Sequence, residues 1–185
     1  KWAGQVTHIE VLDEWYELEY ERSRFGGKGI MRRVFEDQGR DIALLEFLKG
    51  PLPRSLPVKI GNTAKLEDGS CIIMGGSPSP FGRHFRKGYV SAASPFYYML
   101  EVLEPPIRKF KHGSYFGVNM GIAKGDSGSH VFAITERGSL EWVGIAVTMV
   151  SPSADLFAIS KADVMLDFLK EKTGIDLRVI NQNQK

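Results

Sequence analysis

Gly125-Asp126-Ser127-Gly128-Ser129-His130 runs straight into the apolar stretch Val131-Phe132-Ala133-Ile134. A serine between two glycines, behind an aspartate, must reverse the chain sharply and hand it to a strand within a few residues. Glycine ahead of the Asp-Ser pair admits a backbone conformation that side chains forbid. In such a turn, the amides of Gly125 and Ser127, and that of Asp126 beside them, can converge on a developing oxyanion. Glycine, aspartate and serine are also ordinary turn residues, so the meaning of this segment depends on what the rest of the chain supplies.

A serine nucleophile needs an imidazole to take its proton and a carboxylate to orient that imidazole. The chain supplies His8 and then Asp41, which opens the apolar run Asp41-Ile42-Ala43-Leu44-Leu45. His8 is the only histidine ahead of Asp41; His84, His112 and His130 follow it and read as surface or packing residues. An α/β-hydrolase order fails, because Ser129 stands where that motif needs its last glycine and no histidine lies far downstream of the serine.

The pattern is β-rich until the last quarter. Trp15-Tyr16-Glu17-Leu18-Glu19-Tyr20 alternates large and acidic residues, as a half-exposed strand does. Gly26-Gly27-Lys28-Gly29 reads as a break, and Asp37-Gln38-Gly39-Arg40 as the turn that delivers Asp41. The proline-rich stretch 51–57 reads as a linker between residues 1–50 and residues 58–160, where several strands at short spacing suggest a barrel or sandwich. A helix is expected over 161–174, capped by Ser160 with Asp163 three residues on and closed by Gly174. Residues 175–185 form a tail, polar and frayed from Asn181.

Apolar residues make up 43% and charged residues 25% of the 185, as in an ordinary globular protein. The single cysteine, Cys71, excludes an internal disulfide, and its setting Ser70-Cys71-Ile72-Ile73-Met74 reads as strand packing. That favours cytoplasm or periplasm over a disulfide-rich extracellular setting. No apolar run reaches membrane-spanning length, and no Cys/His cluster has metal-ligand spacing. Basic groups mixed with aromatics occur at 83–87 and 108–112, but a net charge of +2 assigns them to a solvated loop and a strand's outer face, and no nucleic-acid partner is expected.

The order His8, Asp41, Ser127 is that of the chymotrypsin family, and the resemblance extends over residues 6–170. The chain is similar to trypsin-like serine proteases, and most to the HtrA/Deg-type protease domain. Asp41-Ile42-Ala43-Leu44-Leu45, Leu56 to Gly61, Leu66-Glu67-Asp68-Gly69, Ile72 to Gly76 and Lys87 to Ala92 follow that type. Val143-Gly144-Ile145-Ala146 and Phe157-Ala158-Ile159 resemble the paired strands that close its second barrel. The implied fold is mostly β, a trypsin-like double β-barrel with a C-terminal α-helix. Only seven residues precede His8, so the chain either starts inside the domain or has a first barrel that is incomplete or completed by another segment.

The resemblance implies a serine endopeptidase with His8, Asp41 and Ser127 as triad, an oxyanion hole at Gly125, Asp126 and Ser127, and no metal or cofactor. The substrate would be a polypeptide. Ile122, Val147 and Met149 would wall the primary specificity pocket, whose base falls near Gly121 or Ile122. Without an acid there, cleavage follows small to medium apolar residues. Asp126 departs from the Asn usual in the HtrA type. In digestive proteases, that Asp meets a newly cut Ile or Val terminus, which Lys1-Trp2 does not provide. The rival expectation is an inactive or partner-activated, protease-like binding or scaffold module. Self-processing, a homo-oligomer and an activating partner are the further associations that this reading leaves open.

Overall fold

The structure, a computed structural model, describes residues 6–12, 15–22, 25–37, 42–49, 59–76, 84–93, 113–123, 125–151 and 156–182. Two compact units divide the chain: residues 1–37 with 41–57, and residues 38–40 with 58–185.

The first unit is, among the described residues, an antiparallel meander of β1 (Val6–Leu12), β2 (Trp15–Arg22), β3 (Phe25–Asp37) and β4 (Ile42–Lys49), paired in that order. The expected break at Gly26 to Gly29 is not there. Gly26, Gly27 and Gly29 pair with Glu21, Tyr20 and Leu18 of β2, so β3 runs unbroken through them. Ladder hydrogen bonds need only the backbone, and glycine supplies one without steric objection. On β4, Ile42, Leu44, Leu45 and Phe47 are half-buried. Arg32 and Glu46 face each other across β3 and β4 as an exposed ion pair, the kind that contributes little to stability.

The second unit contains β5 (Lys59–Ile60), a 3₁₀ turn at Thr63–Lys65, β6 (Cys71–Gly76), β7 (His84–Ala92), β8 (Tyr115–Asn119), β9 (His130–Ile134), β10 (Leu140–Ser151) and β11 (Leu156–Lys161). Strand order β11-β8-β7-β6-β9-β10 closes because β10 also pairs with β11, giving a six-stranded antiparallel barrel. Closure removes the free edges an open sheet would carry. β5 adds to β10 in parallel, at Glu141 and Trp142.

Alternation places Ile72 and Met74 of β6, and Val90 of β7, inside the barrel. They meet Phe116, Val118, Val131, Val143, Phe157 and Ile159 in one continuous core. Burying a large side chain of this kind contributes roughly 1.5–3 kcal/mol. Cys71, at the start of β6, is half-buried and free.

Helix α1 (Ala162–Thr173) packs on β10 and β11 and ends at Gly174, whose φ of 74° forms a left-handed cap. Its beginning differs from expectation. Ser160 is a β11 residue, paired with Tyr115 and Ile145, and the N-cap is Lys161, which makes no side-chain capping bond. Asp163 points elsewhere: its Oδ2 accepts the Thr63 amide at 3.1 Å and the Thr63 hydroxyl, tying α1 to the 3₁₀ turn. The expected tail forms a second helix, α2 (Leu177–Gln182), held through Arg178 to Asp167 and to the Asp163 carbonyl.

Candidate active site

Ser127 stands exposed in the turn between Met120 and β9. Gly125 has a φ of 99°, the left-handed territory the sequence reserved for a glycine. The amide of Asp126, expected to share the oxyanion hole, is instead donated to the carbonyl of Ala123 at 3.0 Å. That bond closes the turn and removes Asp126 from the set of free donors. Among the described residues, the amides of Gly125 and Ser127 have no acceptor.

The turn is tied to β10 by backbone. Gly128 donates its amide to the Ala146 carbonyl at 2.7 Å, and the Ala146 amide returns to the Ser129 carbonyl at 2.9 Å. The Ser127 hydroxyl donates to the carbonyl of Val147 at 3.2 Å. Met149 continues β10, opposite Phe157. Ile122 packs half-buried against the barrel core, while Val147 packs against Tyr115 and Ala158 in a separate cluster.

The partner of Asp126, left open by the sequence, is Arg86. The carboxylate is fully buried, and its Oδ2 accepts from Arg86 Nη1 and from the amide of Ala123 at 2.8 Å. Burial of a carboxylate demands such pairing. The 83–87 basic group is therefore not merely a solvated face. Arg86, Gly88 and Val90 lie on one side of β7, and the last two are buried, so period-two alternation already turns Arg86 inward. That was the signal that could have found it.

Of the other expected triad members, His8 lies on β1 in the first unit, its backbone opposite Glu19 of β2. Asp41 lies outside the described residues, directly ahead of β4. His84 is exposed on β7, and His112 falls outside the described residues. His130 packs edge-on against Phe132 and Trp142, with ring centroids 6.3 Å and 6.1 Å away. The residue reaches solvent, but this crowding desolvates the ring enough to hold its pKa below the ordinary histidine value. Among the described residues, no group of three or more His, Cys, Asp or Glu gathers to hold a metal ion. No described helix is long and apolar enough to cross a membrane.

No protein-family model and no curated protein matches this sequence. Solved structures do match. The HtrA-type protease AlgW with a decapeptide superposes with a TM-score of 0.61 at 16% identity, over 88% of this chain and 50% of that one. The apo protease domain of MamO from Magnetospirillum magneticum gives 0.55 at 14% identity, over 90% of this chain and 89% of that domain. Deg5 gives 0.56 at 16% identity, over 83% and 66%. The chain thus spans about half the length of the AlgW chain and most of the MamO protease domain. The closed six-stranded barrel, the helix behind it and these superpositions agree: this chain has the trypsin-like fold of HtrA-type protease domains.

Proposed function

We propose that the chain is a serine endopeptidase that cleaves polypeptides through an acyl-enzyme. The observation that carries this reading is the Gly125–Ser127 turn: an exposed serine beside two amides that find no acceptor among the described residues, on a turn bonded to β10 of the closed barrel. His8 takes the Ser127 proton as Oγ attacks the scissile carbonyl, and Asp41 orients and stabilises the imidazolium. The amides of Gly125 and Ser127 hold the oxyanion. His8 then protonates the leaving amine, and water, activated by the same imidazole, releases the acyl group from Ser127. None of these steps calls on a metal or cofactor.

Ile122, Val147 and Met149 define a preference for small to medium apolar side chains. Gly121-Ile122-Ala123 offers no carboxylate to a buried substrate cation, so Lys and Arg are disfavoured.

Hydrolysis of a peptide library by the wild type, His8→Ala, Asp41→Asn and Ser127→Ala tests this reading. Cleavage after apolar residues is expected, lowered on the order of 10⁶-fold by Ser127→Ala or His8→Ala and about 10⁴-fold by Asp41→Asn. Cleavage after Arg or Lys would overturn the specificity. Cleavage indifferent to His8→Ala would overturn the base assignment. A wild type that cleaves nothing would leave a protease-fold binding module as the reading.

A further inference from the structure

Asp126 is the hub of the nucleophile turn. Its amide is donated to the Ala123 carbonyl, its carbonyl accepts the Ser129 amide at 3.0 Å, and its carboxylate accepts the Ala123 amide. One residue therefore fixes the path of the backbone on both sides of Ser127. Apolar burial of this turn is confined to Ile122, because Gly121, Ala123, Gly125, Ser127 and Gly128 are all exposed. Backbone bonds of Gly128 and Ser129 tie the far side of the turn to β10; the Asp126 carboxylate itself is fastened to the barrel wall by the ion pair to Arg86, on a strand paired on both sides by β6 and β8.

We propose that Arg86 is a positioning residue for the nucleophile turn: an internal cation that holds Asp126 in the barrel and so keeps Ser127 and the Gly125 and Ser127 amides in place. Asp126 is fully buried, and the Arg86 side chain is only 20% exposed. Removing the guanidinium would leave a buried carboxylate without its countercharge, and the turn relieves this by swinging Asp126 outward. The barrel core, Ile72 to Ile159, does not include this pair and has no reason to follow. Gly76 sharpens the fit. A Cβ there would collide with Asp126 Oδ1 and lie 3.2 Å from Ser129 Oγ, so the carboxylate sits in a slot shaped to it. The cation is part of the chain, so the turn needs no newly cut amino terminus.

The catalytic meaning of this assignment rests on the protease reading; the structural part does not. The test is amide hydrogen exchange of the full chain, comparing peptides over 121–129 with peptides over β6, β8 and β11, in the wild type, Arg86→Met and Arg86→Lys. Arg86→Met, which keeps bulk but not charge, is expected to speed exchange of the 121–129 peptides about tenfold or more, with the barrel peptides unchanged. Arg86→Lys should bring it back to within about threefold of wild type. The labelling rate with a fluorophosphonate should follow the same order.

Exchange over 121–129 that Arg86→Met leaves at the wild-type rate overturns the proposal. So does an equal rise throughout the barrel, or a lysine variant no better than the methionine one. Should Arg86→Met fail to fold, Asp126→Asn is read by the same criteria, with loosening confined to 121–129 expected. A wild type that does not label would remove the protease reading, while the exchange result would still decide the role of Arg86.

Discussion

The hydroxyl of Ser127 donates to the carbonyl of Val147 at 3.2 Å, at the first of two places where β10 loses register with β11. Pairing steps from Ala146–Ile159 to Thr148–Ala158, so Val147 is the extra residue of a bulge. A bulge releases a residue from the ladder and re-aims its groups. Here it leaves a carbonyl for the turn, next to the Gly128–Ala146 and Ala146–Ser129 backbone bonds. The proposed nucleophile is thereby referenced to the barrel wall.

Gly76→Ala tests the slot around Asp126. The new methyl group meets the buried carboxylate from β6, and neither strand backbone nor turn can yield freely. Overpacking of this kind costs about 1–3 kcal/mol. Urea denaturation measures the loss, and a change under about 0.5 kcal/mol would mean that the carboxylate has room to move.

Phe116→Ala tests where the stability of the second unit resides. Phe116 is fully buried at the centre of the barrel core, and its truncation should cost about 3–5 kcal/mol. Leu140→Ala, at an exposed strand start, should stay within about 0.5 kcal/mol. Comparable losses at both positions would contradict the assignment of the core.

His130 predicts the direction of one acid response. Its folded-state pKa is lowered by desolvation, while the unfolded chain takes up that proton near the ordinary value of about 6.5. The unfolded state therefore gains protons first as pH falls. Its share of stability is complete above about pH 6.5, declines below it, and levels off once the folded ring is protonated too. His130→Gln should flatten the fall in urea midpoint between pH 7.5 and pH 5.5, and an unchanged slope would contradict this.

Much of this was legible because period-two patterning is strong where one face is buried. Ile72 and Met74, Val143 to Ala146 and Phe157 to Ile159 fall as their sequence suggests, and Gly174 closes its helix. Local propensity misled where pairing decided instead. Gly26, Gly27 and Gly29 look like a break in isolation but are held by β2, and Ser160 looks like a cap but belongs to a strand that continues to Lys161. Helix α2 is too short to show a period, and its anchor, Arg178, reaches back to Asp167. The Arg86–Asp126 pair joins residues forty positions apart, a separation that a turn motif cannot disclose. The inward side of β7 could have disclosed half of it.

The most direct test of the central claim is the site of reaction with a fluorophosphonate, located by mass spectrometry of the intact chain and its peptides. Attack by Ser127 Oγ forms an O–P bond and expels fluoride, and it succeeds only where the hydroxyl is activated and the phosphoryl oxygen is held by donors such as the Gly125 and Ser127 amides. A single adduct on Ser127, absent from Ser127→Ala and from His8→Ala, is the predicted result. An unmodified chain, or an adduct on any other residue, would contradict it.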